Sequence, residues 1–352
     1  MCINEEKSLV YLDRNEYNFE IAPLIEETIR TFSPLEFTHY TRCFQRGIKS
    51  ELSEYIGKMY GVSEENVILG YGAESILKDV IHCFLSRNRQ SRKIMIPAYS
   101  WWYYKSIADE VNGITRLYPL YEDGYRFKYD IPQIKKQIRE ENPDMLLLAT
   151  PNNPTGNSLT LKEIEEILDS VTPETVVVID EAYAMFNCED ISYIAPLIAK
   201  YPNLIIIRTF SKFYGLPGLR LGYAFRGDSL QGFDGFSTMY LGFNILSEKI
   251  GIAALKSTDF YLENAKVINK EKSLYKEELN ALPGYKVYDS DANFILVKYP
   301  FELKEKLQKA LTSENLIVKF MNEEGLTSHM RITLGKPDDN NKVRRIIKDV
   351  SS

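Results

Sequence analysis

Polar side chains follow three predicted strands of this chain, at the point where each strand ends. The strands cover residues 145–148, 176–179 and 204–207, and the side chains that follow them are, in chain order, Asn153, Asp180, Tyr183 and Lys212. Ligands of open parallel sheets bind in the crevice outside the carboxyl ends of the strands. Taken singly, each side chain has a structural explanation, as a turn residue, a helix N-cap or a solvated surface group. Their joint occurrence predicts that an amide, a carboxylate, a phenol and an amine meet in one ligand-binding crevice.

The strands that would carry these residues alternate with helical patterns along the middle of the chain. Apolar and β-branched runs recur at residues 67–69, 93–96, 114–118, 145–148, 176–179, 204–207 and 221–225. This alternation predicts an α/β fold with a mostly parallel central sheet that helices cover on both faces. Further helices are predicted over residues 21–32, 48–60, 244–255 and 261–282. Strands predicted near residues 294–297, 316–318 and 330–334 indicate a smaller α+β unit at the end of the chain.

The composition is typical of a folded protein without a polyanion-binding surface. The 352 residues, 44% of them hydrophobic, suggest about two domains. Lys plus Arg is 43 and Asp plus Glu is 49, and this net charge of −6 provides no basic field for nucleic acid or an anionic membrane. No apolar run approaches the roughly 20 residues that span a bilayer, and the opening segment is too polar for a signal peptide. We therefore expect a cytoplasmic protein, and the spacing of its cysteines and histidines predicts no metal site.

Three segments carry a resemblance to a known family. Residues 151–156 read Pro-Asn-Asn-Pro-Thr-Gly, residues 180–183 read Asp-Glu-Ala-Tyr, and residues 209–223 read Thr-Phe-Ser-Lys-Phe-Tyr-Gly-Leu-Pro-Gly-Leu-Arg-Leu-Gly-Tyr. In this order they resemble fold-type-I pyridoxal-phosphate enzymes of the aspartate aminotransferase superfamily, and specifically the histidinol-phosphate aminotransferase branch. The resemblance implies the pyridoxal-phosphate-dependent transferase fold of type I. It places a large cofactor-binding domain at residues 31–255 and forms a second unit from an N-terminal arm, 1–30, and a small C-terminal domain, 256–352.

The resemblance implies roles for the residues around the cofactor ring. Lys212 would bind pyridoxal phosphate covalently through its amine and move the substrate's α-proton. Asp180 would pair with the pyridine nitrogen, and Asn153 and Tyr183 would hydrogen-bond the phenolate oxygen. Trp102 occupies the position of the aromatic residue that stacks on the ring. A helix N-cap is the alternative for the aspartate, and a core position is the alternative for the tryptophan.

The cofactor phosphate needs backbone amides at a helix N-terminus, small side chains and one fixed cation. A glycine-rich segment follows the strand 67–69 and is predicted to open a helix. The residues implied for phosphate binding are Gly72, Ala73, Glu74, Thr209, Ser211 and Arg220. The same segment carries two glycines of a dinucleotide-binding motif, but Ser75 stands at the third position and no acidic residue follows at about 20 residues, which argues against that alternative.

The residues at the substrate end depart from the family pattern. The family's Asn-Glu-Asn-Pro-Tyr-Gly reads Asn-Glu-Tyr-Asn-Phe-Glu at residues 15–20, so that a phenylalanine replaces a tyrosine. Arg331 matches one of two arginines that hold the anionic end of the substrate, whereas Lys319 replaces the other and lacks its planar fork. A surface ion pair is the alternative for Arg331. The substrate-binding residues implied by the resemblance are Arg331, Lys319, Asn153, Phe19 and Tyr17.

The resemblance also implies a homodimer with active sites at the subunit interface. A tyrosine of the partner subunit reaches the cofactor phosphate in the family. By spacing this position is Phe44, and Tyr40 is the alternative if the backbone carries extra residues.

The implied reaction moves an amino group between an amino acid such as glutamate and a keto or aldehyde acceptor, with phosphate esters among the candidates. The residues from Lys212 to Tyr223 also resemble threonine-phosphate decarboxylases, which share every cofactor contact, so decarboxylation is the alternative reaction. A cofactor-binding regulator is a third hypothesis, but no basic recognition helix precedes the first strand of the sheet.

Overall fold

The fold is taken from a computed structural model, which describes residues 9–86, 92–234 and 241–352. In chain order its strands are β1 (Val10–Leu12), β2 (Val67–Gly70), β3 (Lys93–Pro97), β4 (Ile114–Tyr118), β5 (Leu120–Asp123), β6 (Arg126–Tyr129), β7 (Met145–Ala149), β8 (Val176–Asp180), β9 (Leu204–Thr209), β10 (Gly222–Arg226), β11 (Lys286–Val287), β12 (Phe294–Lys298), β13 (Leu316–Phe320) and β14 (His329–Thr333). Its α-helices are α1 (Pro23–Thr31), α2 (Glu51–Tyr60), α3 (Gly72–Leu85), α4 (Tyr103–Glu110), α5 (Ile131–Glu141), α6 (Leu161–Leu168), α7 (Ile194–Lys200), α8 (Ile245–Lys256), α9 (Thr258–Leu279), α10 (Lys304–Ser313) and α11 (Pro337–Ser351).

The larger sheet has the strand order β2-β10-β9-β8-β7-β3-β4. Strand β10 runs antiparallel to both of its neighbours, and the other strands run parallel to one another. The seven strands predicted from apolar runs are the seven strands of this sheet, so the prediction of an α/β fold with a mostly parallel sheet is confirmed. In the register of the sheet, Ala149 lies opposite Asp180, and Asp180 lies opposite Ile207. The carboxyl ends of β7, β8 and β9 therefore lie side by side.

The central strands are apolar throughout because both faces of the sheet are covered. In β8, Val177 and Ile179 belong to one hydrophobic cluster and Val178 belongs to a second cluster on the opposite face. Strand β9 alternates in the same way, with Ile206 in the first cluster and Ile205 in the second. Successive side chains of a strand point to opposite faces, so each strand contributes to two layers of core.

Local signals place the ends of several helices away from the predicted positions. Helix α1 begins at Pro23, since proline is suited to the first turn of a helix, where its missing N–H is not needed. Helix α2 begins after Ser50, whose hydroxyl accepts a hydrogen bond from the Ser53 amide in a capping box. Helix α9 begins at Thr258, three residues before its predicted start. These differences leave the predicted number and order of the four helices unchanged.

The smaller sheet combines both ends of the chain, in the order β1-β13-β14-β12-β11. Strand β1 pairs in parallel with β13, with Val10 opposite Leu316, and β12 and β13 run antiparallel to β14. Strands β12, β13 and β14 were expected, but β1, the hairpin β5–β6 and the two-residue β11 carry no sequence signal that we recognised. The pairing of β1 agrees with a unit built from the two ends of the chain, and the boundaries 1–30, 31–255 and 256–352 stay a prediction.

None of the helices in the ranges that the structure describes is long and apolar enough to cross a membrane. The same ranges contain no group of three or more metal-ligating side chains that could hold an ion.

Candidate active site

A cavity with a volume of about 700 Å³ lies at the carboxyl ends of β7, β8 and β9. The four residues on which the first prediction rested all line this cavity: Asn153, Asp180, Tyr183 and Lys212. They converge because parallel strands in register end at one edge of the sheet. The geometric prediction of a shared crevice therefore agrees with the structure.

Lys212 lies in the loop after β9, and backbone carbonyl groups hold its amine. Its Nζ donates hydrogen bonds to the carbonyl oxygens of Arg14 at 2.9 Å and Asn15 at 3.1 Å. Burial lowers the pKa of Lys212 to about 8, and the positive charges of Arg331 and Arg220 act in the same direction. A buried ammonium group near other cations loses its proton more easily than one in water. Lys212 is therefore partly a neutral amine, and hence a nucleophile and a base, close to neutral pH.

Asp180 is the last residue of β8 and is buried beneath the cavity. One carboxylate oxygen accepts a hydrogen bond of 2.9 Å from the Ala182 amide, and the other accepts one of 2.5 Å from the hydroxyl of Tyr104. Burial raises the pKa of Asp180, while both hydrogen bonds lower it. The bond to the Ala182 amide lies within a turn, and no helix begins at residues 181–187, so the alternative of a helix N-cap does not apply to Asp180. Tyr104 itself is a cavity residue that the sequence analysis missed.

Tyr183 is held by a residue from the N-terminal end of the chain. Asn15 donates a hydrogen bond of 2.8 Å from its side-chain amide to the Tyr183 hydroxyl, and it is buried with a positive φ of 55°. The backbone amide of Asn15 also donates to the Thr333 hydroxyl in β14. Burial raises the pKa of Tyr183, so the phenol stays protonated and can donate a hydrogen bond. Asn15 was not assigned a role from the sequence, although asparagine is one of the few residues that tolerate a positive φ.

The residues predicted to bind the cofactor phosphate lie around the N-terminus of α3. Five of the six predicted residues line the cavity through their side chains or backbone: Ala73, Glu74, Thr209, Ser211 and Arg220. The Thr209 hydroxyl lies 3.0 Å from the Ser211 hydroxyl, and Arg220 pairs with the carboxylate of Glu74 at 3.1 Å. Gly72 does not line the cavity, but a Cβ atom at its position would lie 2.9 Å from Nη2 of Arg220. Because φ of Gly72 is +79°, glycine is also the residue that this backbone conformation favours.

Arg331 and Lys319 lie opposite each other in neighbouring strands and both line the cavity. Arg331 donates hydrogen bonds to Oδ1 of Asn153 and to the backbone carbonyl of Asp13. Its Nε atom is buried and has no partner among the described residues. Burial lowers the pKa of Arg331, an effect that a bound anion would oppose. The structure thus assigns Arg331 an inward position and not the surface ion pair considered as its alternative.

The two aromatic residues expected at the substrate end do not line the cavity. Tyr17 accepts a hydrogen bond of 2.6 Å from Asn264, and its ring packs 5.5 Å from Phe19 and 5.8 Å from Tyr261. A Cβ atom on Gly215 would lie 2.4 Å from the Tyr17 ring, which shows how tightly the ring is covered. Both side chains therefore belong to the packing between the N-terminal segment and α9. The expectation that they contact substrate finds no support within one chain.

Other aromatic residues take more exposed positions. Trp102 lines the cavity and is 67% exposed, so the alternative of a core residue does not apply to it. Tyr40 and Phe44, the two candidates for the partner-facing position, are also exposed and do not line the cavity of their own chain. The partner-facing roles of Tyr40 and Phe44 stay predictions, since both roles depend on a second subunit.

The residues present fit pyridoxal phosphate. A buried carboxylate faces the cavity at the sheet edge, an amine with a lowered pKa stands after the neighbouring strand, and the positive end of a helix dipole lies beside Arg220. A Cβ atom at Gly72 would press on the Arg220 guanidinium, the cation that a phosphate requires, so glycine leaves that cation in its observed position. This set matches the needs of the cofactor's pyridine nitrogen, its aldehyde and its phosphate.

Comparison with known proteins shows the family to which the chain belongs. The sequence matches the family described as aminotransferase class I and II over residues 7–347, and the chain belongs to this family. It is a pyridoxal-phosphate-dependent aminotransferase, as the resemblance predicted. The sequence is 31% identical over 346 residues to histidinol-phosphate aminotransferase 2 of Archaeoglobus fulgidus, covering 98% of this chain and 94% of that protein. It is 30% identical over 344 residues to histidinol-phosphate aminotransferase of Clostridium novyi, covering 97% and 92%.

Solved structures show the same fold. Histidinol-phosphate aminotransferase from Sinorhizobium meliloti, in complex with pyridoxal-5'-phosphate, superposes with a TM-score of 0.83 at 20% identity and covers 97% of this chain and 91% of its own. The enzyme of the same name from Clostridium acetobutylicum also gives 0.83, at 25% identity, with 97% and 99% coverage. L-threonine-O-3-phosphate decarboxylase from Porphyromonas gingivalis gives 0.78 at 23% identity, which is a likeness of fold alone. The predicted fold type I is therefore confirmed.

Proposed function

We propose that this aminotransferase moves an amino group from a donor such as glutamate to a small keto or aldehyde acceptor that carries a carboxylate or a phosphate. The observation that carries the proposal is Arg331, whose buried Nε has no partner among the described residues although the side chain lines the cavity. Lys319 adds a second positive charge in register with it. A buried guanidinium N–H without a partner is costly unless a ligand accepts its hydrogen bond. Histidinol phosphate, the compound for which the relatives are named, is the first phosphate ester to test.

Each residue contributes a distinct part of the chemistry. Pyridoxal phosphate, when bound, supplies the electron sink that stabilises negative charge at the substrate's α-carbon. Asp180 would accept the hydrogen bond of the ring nitrogen and balance its charge, while Tyr183 and Asn153 would hydrogen-bond the phenolate oxygen. Lys212 would bind the cofactor covalently through its Nζ, and the same amine would be the base that moves the substrate's α-proton. Its lowered pKa suits both tasks.

A first experiment tests the class of chemistry. The purified protein with added cofactor should absorb visible light. Borohydride should abolish this absorbance and leave the cofactor attached to Lys212, and the absorbance should be absent in Lys212→Ala. Borohydride-resistant or absent colour in the wild type would contradict the assignment of Lys212.

A second experiment tests the substrate. The amino-loaded form of the enzyme should regain its original spectrum with anionic keto acids or keto phosphates and not with neutral ketones. Arg331→Ala should raise the acceptor KM by about tenfold or more, as expected for loss of a charged hydrogen bond. Arg345→Ala, a substitution at an exposed arginine of α11, is the matched control. Unchanged acceptor affinity in Arg331→Ala, or carbon dioxide release without a keto product, would contradict the proposal, and the second result would favour a decarboxylase.

The predicted homodimer has support from an exposed apolar segment. Leu35, Phe37 and Tyr40 are 74%, 56% and 64% exposed and lie within seven residues of one another. Contiguous exposed apolar side chains are typical of interaction sites. We propose that this segment contacts the second subunit and brings Tyr40 or Phe44 to the partner's cofactor phosphate. The cytoplasmic location stays a prediction.

A further inference from the structure

Tyr104 occupies a place at the active site that none of the three family motifs contains. It is the second residue of α4, it is 3% exposed, and it lines the cavity from beneath. Its hydroxyl donates a hydrogen bond of 2.5 Å to Oδ2 of Asp180. The rings of Trp101 and Tyr104 meet edge to face with centroids 5.6 Å apart, which restricts the tyrosine to this orientation. The bond therefore comes from a side chain that packing holds in place.

Asp180 must satisfy two opposing requirements. It must be ionised to pair with a protonated ring nitrogen, yet its burial raises its pKa and favours the neutral acid. The ionisable side chains that face it are Tyr104 from α4, Tyr129 from β6, and Glu181 and Tyr183 from its own strand end. The negative charge of Glu181 raises the pKa of Asp180 further. Hydrogen bonds from the Ala182 amide and the Tyr104 hydroxyl act in the opposite direction.

We propose that Tyr104 is a positioning residue that keeps the Asp180 carboxylate ionised and oriented towards the pyridine nitrogen of the cofactor. The phenol donates to Oδ2 while the Ala182 amide donates to Oδ1, so the carboxylate plane is fixed by two donors. A carboxylate fixed in this way presents its remaining lone pairs to the cavity without rotating. The inference rests on the aminotransferase assignment above and concerns how this chain controls the ionisation and orientation of Asp180.

The consequence is a specific pH dependence of cofactor binding. Ionised Asp180 binds the protonated ring nitrogen, so affinity for pyridoxal phosphate falls as the pH drops through the pKa of Asp180 in the free protein. Tyr104→Phe removes a donor to the charged form, which raises that pKa and moves the loss of affinity to higher pH. We expect the variant to bind about tenfold more weakly than the wild type at acid pH, and the difference to shrink as the pH rises and the Asp180 carboxylate ionises in both proteins.

The experiment measures the equilibrium dissociation constant of pyridoxal phosphate and apoprotein between pH 5.5 and 8.5, by ultrafiltration. Tyr103→Phe, which removes a hydroxyl from the neighbouring residue outside the cavity lining, is the matched control and should follow the wild type. A second probe is the cofactor analogue in which a carbon atom replaces the ring nitrogen. Because the analogue lacks the ring N–H that Asp180 would bind, wild type and Tyr104→Phe should bind it with equal affinity at every pH. An equal loss of affinity for both probes, or a loss independent of pH, would mean a merely structural role and overturn the proposal.

A further variant keeps the test valid if Tyr104→Phe does not fold. A 3-fluorotyrosine at position 104 alone keeps the shape of tyrosine and is a stronger hydrogen-bond donor. The pH at which affinity for pyridoxal phosphate falls should therefore be lower than in the wild type, and an unchanged pH would contradict the proposal. In the Asp180→Asn variant, adding Tyr104→Phe should cause no further loss of cofactor affinity. A loss as large as the one that Tyr104→Phe causes in the wild type would also contradict the proposal. Failure of the wild type to bind pyridoxal phosphate at all would contradict the aminotransferase assignment instead, which separates the two failures.

Discussion

At the scale of single residues, burial shifts the pKa values of two functional groups of the active site in opposite directions. Lys212 loses its proton more easily and Asp180 less easily than the same groups in water. The two shifts have the same cause, because desolvation disfavours the charged form of either group. For Asp180 the shift opposes its function, and the hydrogen bonds from Tyr104 and the Ala182 amide compensate.

The lowered pKa of Lys212 predicts its reactivity. In the apoprotein, the rate of arylation of Lys212 by fluorodinitrobenzene should rise with pH along a curve centred near 8, because only the neutral amine reacts. An ordinary lysine has a pKa near 10.4. Peptide mapping at a series of pH values measures the rate at this residue. Arg331→Leu removes a neighbouring positive charge and should move the curve to higher pH, whereas a wild-type curve centred near 10 would contradict the prediction.

At the scale of elements, the junction between β2 and α3 shapes the phosphate end of the site. Gly222 in β10 lies against this turn so closely that a Cβ atom there would stand 2.6 Å from the Ala73 amide nitrogen. Helix α3 then directs its first amides into the cavity, where the positive end of the helix dipole favours an anion. The junction therefore requires glycine for reasons of space as well as backbone conformation.

Substitution of Gly72 tests this arrangement. In Gly72→Ala the added methyl group would meet the Arg220 guanidinium at 2.9 Å, and the backbone would be strained at a φ of +79°. We expect the affinity for pyridoxal phosphate to fall about tenfold or more, because both the cation and the helix amides shift. Gly218→Ala is the matched control, since a Cβ atom at position 218 meets nothing within 4 Å. Equal affinities of both variants, measured by equilibrium binding, would refute the explanation.

At the scale of the whole molecule, the two ends of the chain meet over the cofactor site. Strand β1 pairs with β13, and the residues just after β1 supply the carbonyl groups that hold Lys212 and the amide that holds Tyr183. Strand β14 supplies Arg331. The site is therefore complete only when both termini have folded onto the larger sheet.

The exposed segment around Leu35 predicts the state of assembly. Leu35→Arg should convert a dimer into a monomer in sedimentation equilibrium, because a charge would be buried without a partner at the contact. Leu161→Arg, at an exposed leucine of α6 that is 46% exposed, is the control and should remain a dimer. The prediction fails if the wild type sediments as a monomer, or if Leu35→Arg keeps twice the mass of one chain.

The sequence by itself determined the strands of the larger sheet and the positions of Asn153, Asp180, Tyr183 and Lys212 after strand ends. It also predicted the residues around the start of α3 for which we propose phosphate binding. These follow from short-range patterns, namely apolar runs, a glycine-rich turn and polar residues that directly succeed a strand. Only the tertiary structure decided that Asn15 reaches Tyr183, that Tyr104 bonds to Asp180, and that Tyr17 packs against Tyr261 of α9, away from the cavity. Each of these contacts joins residues far apart in the chain, and no local periodicity encodes which distant side chain fills a given space. The net charge of −6 does not conflict with the binding of anions, because the fold places cations locally in the cavity: Arg220, which we propose for the cofactor phosphate, and Arg331, which we propose for the substrate.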